Sequence, residues 1–179
     1  MAKKKRTNPR KRVATKKDID SAKDQATCDG IGTALAVVFA MLHDKEGWGQ
    51  KRMVQLHRLI DDISTNVANG KGDLLDMERD LLTKHGVSFG GGWSMPTPRN
   101  KGATLADVRR AKALATGDGV KASMIVLFTA LQQLGWGKVR LQRLKGYVYF
   151  TLEAIKEGYV TAMDLVAMLN RECGLELTE

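Results

Sequence analysis

The sequence predicts an all-α protein in which two tandem three-helix repeats follow a disordered basic tail. Apolar residues recur at spacings of three and four, and no segment shows the alternation typical of a β-strand. The chain also matches itself in order, at an offset of 89 residues and then of 88 after one gap. Nine of its 29 Lys and Arg residues lie in the first 17 positions, where no acid is present, whereas the remainder holds 20 basic and 20 acidic side chains.

The tail is the first candidate functional segment. Its high charge and its lack of apolar anchors predict disorder and affinity for a polyanion. Nucleic acid, either DNA or RNA, is the expected partner, because each phosphate contact releases counterions and contributes roughly −0.9 to the salt slope of binding. A tail that only solubilises the protein, or targets it within a host, is the alternative. The tail cations are Lys3, Lys4, Lys5, Arg6, Arg10, Lys11, Arg12, Lys16 and Lys17.

The self-match defines two repeats joined by a linker. Identical residues occupy roughly a quarter of about 75 aligned positions, which is more than chance produces. Between the repeats lies a segment rich in Gly and Pro without hydrophobic periodicity, which is typical of a linker. The sequence therefore divides into the tail (residues 1–17), repeat 1 (18–89), the linker (90–102) and repeat 2 (103–179).

A long helix A opens each repeat. A hydroxyl and a carboxylate three residues apart form a capping motif at its start, Thr15-x-x-Asp18 or Thr104-x-x-Asp107. The helix extends to about residue 43 or 132, and its last turns are apolar nearly all round, which predicts burial among other helices. Gly30 and Gly119 fall within helix A and predict either a kink or break, or a close helix crossing.

Two shorter helices complete each repeat. A Gly-Trp-Gly segment ends helix A, because glycine permits the positive φ of a tight reversal. Helix B follows with a single apolar stripe, and helix C ends at a C-cap glycine, Gly86 or Gly174. Because units this small bury little surface, we expect the repeats to pair about a pseudo-twofold axis, either within one chain or as a homo-oligomer.

Helix B of repeat 2 carries a second candidate nucleic-acid site. Arg140, Arg143 and Tyr147 lie at i, i+3 and i+7, so the cations would hold phosphates while the ring stacks on a base. Lys138 and Lys145 add positive charge to the same helix. The alternative is an ordinary solvated helix face.

The three tryptophans divide into two classes. Trp48 and Trp136 occupy the same position in the two repeats, and we expect each to join helix A to helix B, with Arg52 or Arg140 packed across the indole. Trp93 has no counterpart and lies in the linker. It is a candidate contact with a partner protein, or it covers the groove between the repeats.

Neither an enzyme nor a metal site is indicated by the sequence. We identify no catalytic residue, because no phosphate loop, no nucleophile with an adjacent base and no metal-binding spacing of histidines is present. No cofactor is expected. Cys28 and Cys173 have no close-spaced partner, which is typical of a reducing, intracellular setting. The longest apolar stretch, residues 34–42, is too short to cross a bilayer, so we expect no membrane contact.

Several of these features together resemble a family of small uncharacterised proteins encoded by bacteriophages and prophages of Gram-positive bacteria. They are the basic N-terminus, the Thr-x-x-Asp helix start, the segment from His43 to Gly49 followed by Arg52, and Gly158-Tyr159-Val160. The resemblance implies a phage accessory protein acting in the cytoplasm of a bacterial host, present here as a tandem duplication. It leaves three functions open: nucleic-acid binding, a protein-binding inhibitor or adaptor that targets a host machine such as a defence system, or a structural component of the virion.

Overall fold

The computed structural model describes residues 15–90 and 105–174, and in these residues all regular structure is helical, which confirms the all-α prediction. The cations from Lys3 to Arg12 and Trp93 lie outside the described residues. Lys16 and Lys17, assigned to the tail by the sequence, form the first turn of a helix instead. The helices are α1 (Lys16–Glu46), α2 (Gln50–Ala68), α3 (Leu74–His85), α4 (Leu105–Gln133), α5 (Lys138–Lys156) and α6 (Ala162–Cys173).

The helix ends are set by local hydrogen bonds. At the start of α1, the amide of Asp18 donates to Thr15 Oγ1 at 3.2 Å, and the amide of Thr15 donates to the Asp18 carboxylate at 2.9 Å. Gly47 ends α1 with a φ of 63°, in the left-handed region that favours glycine. Gly86 and Gly174 end α3 and α6 in the same conformation, as the sequence predicts.

α1 and α4 cross at two glycines with almost no space between their backbones. A Cβ atom built on Gly30 would lie 3.1 Å from the backbone nitrogen of Val120 and would overlap the carbonyl oxygen of Thr116. One built on Gly119 would overlap the carbonyl oxygen of Thr27 in the same way. Both helices continue through these glycines, so the close crossing is confirmed and the alternative of a break is wrong.

α1 and α4 run in the same direction. At the crossing, the middle of one helix lies against the middle of the other. Just beyond it, Ile31 and Leu35 of α1 line one groove together with Ala122 and Val126 of α4. Past the ends of the two helices, the rings of Trp48 and Trp136 are only 5.6 Å apart. Points equally far along the two helices are therefore neighbours, which only a parallel pair allows.

Each long helix is covered by shorter helices from the other half of the chain. α1 packs against α5 and α6, and α4 packs against α2 and α3. Thr151 on α5 donates to Met41 Sδ on α1 at 3.4 Å, and Lys121 on α4 pairs with Glu78 on α3 at 3.0 Å. The short helices are thus exchanged between the halves, whereas the sequence suggested that each set of three packs together.

This packing buries only the C-terminal halves of α1 and α4. Phe39, Leu42, Phe128 and Leu131 lie in the core with at most 1% of their surface exposed. We call the N-terminal halves, residues 16–30 and 105–119, the stem. Among the stem side chains that the structure describes, most are exposed or half-exposed. The buried positions in that set are Ala26, Gly30, Ala115 and Gly119.

The two long helices also meet the length and composition criteria for a membrane span. The segments are Lys16–Glu46 and Asp107–Gln133, and 56% and 50% of their apolar windows are buried inside the protein. Buried core helices of water-soluble proteins meet the same criteria, so this observation alone does not indicate a membrane.

Replacing Gly30 by Ala is expected to destabilise the protein by about 1–3 kcal/mol, because the new methyl group forces the two backbones apart. Gly32, two residues further along α1, has open space around it. Gly32→Ala is therefore the matched control, and it is expected to raise the free energy of unfolding by up to about 1 kcal/mol. Chemical denaturation of both variants checks this; equal effects of the two substitutions would show that the crossing is not tight.

Candidate nucleic-acid interface

The basic face of α5 is bound to a buried carboxylate of α1. Arg140 Nη2 and Arg143 Nη2 lie 2.8 and 2.7 Å from the two carboxylate oxygens of Glu46, whose side chain is only 7% exposed. The guanidinium of Arg140 also lies over the ring of Trp136, 3.9 Å from its centroid. Arg140 and Arg143 therefore join α5 to α1 across the exchanged interface, a role that the sequence analysis missed.

The electrostatics of Glu46 are set by two opposing effects. Burial alone would raise the pKa of its carboxyl group, but hydrogen bonds from Arg143 and Arg140 outweigh burial and lower that pKa. The same bond raises the pKa of Arg143. Two of the four cations of the predicted α5 site are thus already paired, so this face has less charge to offer phosphates than its sequence suggests.

The remaining members of the predicted α5 site, Lys138, Lys145 and Tyr147, differ in exposure and in their contacts. Tyr147 is half-buried against the core, and the ammonium of Lys45 lies 5.8 Å from its ring centroid. Lys145 approaches the ring of Tyr149 at 5.4 Å, and Lys138 is exposed. A half-buried ring beside a lysine is poorly placed to stack on a base.

Trp48 and Trp136 are both buried, each with 4% of its surface exposed. Their contact differs from the expected one, because the two indoles meet each other edge to face at an interplanar angle of 79°. Arg140 packs on Trp136 as expected, whereas Arg52 is exposed and makes no ring contact in the described part of the chain. The tryptophans thus join the two halves of the chain.

The N-terminal end of the stem is the second candidate interface. Because α1 and α4 are parallel, their N-termini lie at the same end of the molecule, and the positive ends of both helix dipoles point there. In the sequence, the basic segment 1–14 precedes α1, and Arg99 and Lys101 precede α4. The exposed or half-exposed stem cations form no ion pair within the described residues: Lys16, Lys17, Lys23, Arg109, Arg110 and Lys112.

Charge is strongly concentrated in the sequence segments that lead into and begin α1 and α4. Residues 1–24 and 99–112 hold 15 of the 29 basic and 4 of the 20 acidic side chains, a net charge of +11. The rest of the chain therefore carries −2. A charge asymmetry of this size along a chain is a physical basis for attraction between its basic segments and a polyanion.

His43 of α1 makes three polar contacts, two of them with α6. Its Nδ1 lies 3.0 Å from the carbonyl oxygen of Trp48 and 3.2 Å from the Cys173 sulfur, and its Nε2 lies 3.2 Å from the Glu172 carboxylate. The protonated ring donates a hydrogen bond to each of the two oxygens. The bond to the Trp48 carbonyl therefore raises the pKa of His43, burial of the ring opposes this increase, and the Glu172 carboxylate adds to it.

This Cys-His-Glu cluster is geometrically similar to a catalytic triad but lacks its chemistry. Burial raises the pKa of the Cys173 thiol, and nearby carboxylates raise it further, so the sulfur remains a neutral thiol rather than a nucleophilic thiolate. Among the described residues, no group of three His, Cys, Asp or Glu side chains is arranged to hold a metal ion. The cluster is best understood as a structural contact between the halves.

Comparison with known proteins adds no assignment, since no family model, curated protein or solved structure matches the chain. The resemblance to phage proteins stays a prediction, and the functional argument depends on the geometry above.

Glu46→Gln is expected to lower the free energy of unfolding by about 1–3 kcal/mol, because two arginines lose their buried charged partner. Glu153 pairs with Lys156 at an exposed site, so Glu153→Gln is the matched control and should change stability by less than about 0.5 kcal/mol. The lowered pKa of Glu46 means that its contribution is present above the ordinary carboxyl pKa and is lost as pH falls through the folded-state value. Thermal unfolding at neutral and acidic pH measures this; a difference between wild type and Glu46→Gln that does not shrink in acid would contradict the assignment.

Stability should also depend on His43. Because its folded-state pKa is raised above the ordinary 6.5, its contribution is fully present below that value and is lost as pH rises through the folded-state pKa. The stability advantage of wild type over His43→Gln should therefore be largest in mild acid and decline toward alkaline pH. His57, whose imidazole bonds only within α2, supplies the matched control His57→Gln. An advantage that is constant across pH would show that His43 is not charged in the folded state.

Proposed function

We propose that this chain is a non-enzymatic nucleic-acid-binding protein of the bacteriophage type, acting in the cytoplasm of a bacterial host. Its binding surface is the N-terminal end of the stem together with the tail, rather than the face of α5. The observation that carries the proposal is the parallel course of α1 and α4, which brings together the starts of the two helices. The sequence segments that lead into and begin these helices, residues 1–24 and 99–112, have a net charge of +11.

The proposal includes the architecture that presents this surface. The two halves are the copies of a tandem duplication, paired about a pseudo-twofold axis. In support, α2 and α5 both have 19 residues, and α3 and α6 both have 12. The corresponding glycines, Gly30 and Gly119, also contact the corresponding threonines, Thr116 and Thr27. Such an axis runs along the stem and brings the two helix starts together.

The dimensions of the stem favour contact with phosphates over reading of bases. Two packed helices, each about 10 Å across, form a stem about 20 Å wide, which exceeds the roughly 12 Å width of the B-DNA major groove. The stem therefore spans phosphates on both sides of a groove instead of entering it. Binding of this kind is independent of sequence and highly sensitive to salt.

Composition favours a double helix over a single strand. No Phe, Trp or Tyr occurs in residues 1–30 or 99–119, so these basic segments themselves offer no ring on which unpaired bases can stack. Proteins that hold single strands depend on such stacking. The higher charge density of a duplex compensates for its absence.

The alternative function, an inhibitor or adaptor directed at a host protein, is motivated by the equal numbers of basic and acidic side chains in residues 18–179, by the resemblance to phage proteins and by Trp93. That residue lies outside the described part of the chain, and the alternative stays a prediction.

Replacing Arg109, Arg110 and Lys112 by Gln is expected to weaken duplex binding and to reduce the slope of log K against log salt by about 0.9 for each phosphate that the variant no longer neutralises. The matched control replaces Lys51, Arg52 and Arg58 of α2, which are also exposed, and removes the same charge elsewhere. A further variant without residues 2–14 keeps the Thr15 cap and tests the tail separately. Fluorescence anisotropy with labelled duplex and single-stranded DNA and RNA over a salt series gives all the slopes.

The stem triple variant should show a larger decrease in affinity and slope than the α2 triple variant. Equal decreases would show that only net charge matters and would remove the stem from the proposal. No binding of any nucleic acid by the intact chain at low salt would reject the function altogether.

A further inference from the structure

The outer face of α5 carries large apolar side chains in water. Val139 is 77% exposed and Phe150 is 79% exposed, and their offset of 11 positions corresponds to about three helical turns, so both point in the same direction. Gly146 lies between them on the same stripe. Beyond the end of α5, Tyr159 is 84% exposed.

This stripe is not a general feature of the fold. On α2, which corresponds to α5 at an offset of 88, the same three positions hold Lys51, Arg58 and Asp62. Those side chains are charged and exposed, as is ordinary for the outer face of a helix. The apolar stripe therefore belongs to α5 alone and is not required to fold the chain.

Gly146 adds a second indication of a partner. It is in the interior of an exposed helix, where glycine costs about 1 kcal/mol relative to alanine, and nothing in the protein lies within 4 Å of a Cβ built there. No internal contact therefore explains it. A glycine between two large apolar side chains leaves a notch that lets another helix approach closely.

The charges on α5 fit a second α5 helix of opposite direction. The charged side chains of its N-terminal half are all cations, among them Lys138 and Arg143, whereas Glu153, paired with Lys156 at an exposed site, lies near its C-terminal end. Two α5 helices can be placed antiparallel about a twofold axis that passes midway between Val139 and Phe150. Each Phe150 then meets the Val139 of the other copy. Glu153 then falls beside Lys138 of the other copy, so apolar and charged positions are complementary at once.

We propose that the chain forms a twofold-symmetric homodimer in which the outer faces of two α5 helices pack antiparallel at Gly146. One helix face per partner is well below the roughly 800 Å² per side of a standard stable interface, so the dimer dissociates in the micromolar range. The dimer does not require nucleic acid, and its test uses none.

Sedimentation velocity of the full chain, from low micromolar to submillimolar concentration, should show a monomer–dimer equilibrium. Phe150→Asp is expected to leave a monomer at every concentration, since it removes the largest apolar side chain of the contact and buries a carboxylate against Val139 of the other copy. Leu75→Asp replaces another exposed apolar residue, on α3, and should leave the equilibrium unchanged. Thermal unfolding of both variants verifies that each retains its fold.

A charge exchange tests the antiparallel register. Lys138→Glu and Glu153→Lys should each weaken the dimer at least several-fold, and the double variant should recover most of that loss. A wild type that is monomeric throughout, or a dimer that Phe150→Asp does not affect, would overturn the proposal. So would a monomer that uses Phe150 to bind a different protein, because the surface would then serve another occupant.

Discussion

The architecture depends on the close contact between α1 and α4 at Gly30 and Gly119. With no side chain between the backbones, the two helices can lie side by side in the same direction, and the C-terminal half of each becomes the centre of the core. The short helices then cover the long helix of the opposite half. What is left uncovered is the stem, and its exposure is a direct consequence of how the other end is packed.

The polar contacts of the core join residues of one half of the chain to residues of the other half. Glu46 holds Arg140 and Arg143, His43 holds Glu172, and the two buried indoles touch each other. Each of these contacts needs residues from both halves, so separating the halves would leave charged and aromatic groups unpartnered. This explains why the cations of α5 serve the interface, while those at the start of the stem remain available to an outside ligand.

Local chemistry made much of the fold predictable from sequence. Thr15 with Asp18, and the left-handed Gly47, Gly86 and Gly174, set helix ends through bonds to their near neighbours, so the elements could be placed without tertiary information. The exchange of short helices could not be foreseen, because in a self-similar chain a helix B has the same apolar stripe for either helix A. Pairing was therefore decided by three-dimensional packing that the repeat pattern does not distinguish.

The candidate site was likewise predictable from sequence only in part. The basic tail was evident from composition alone, whereas the stem end required the relative direction of two helices 89 residues apart. Glu46 has no counterpart in the second half, where Leu134 occupies its place, and only the structure shows which helix brings cations to it. Helical spacing correctly predicted that Arg140 and Arg143 share one face of α5. It could not reveal that this face contacts the buried carboxylate of Glu46 on α1.

The direction of α1 relative to α4 is the central claim, and a distance across the stem tests it most directly. Nitroxide labels at Asp20 and Arg109, two exposed and corresponding positions, can be introduced with Cys28 replaced by Ser, and their separation measured by dipolar electron paramagnetic resonance. A parallel stem places the two backbones about 10 Å apart. Each site is about 15 Å from the crossing, so an antiparallel pair would place them about 30 Å apart, and that result would contradict both the fold and the function built on it.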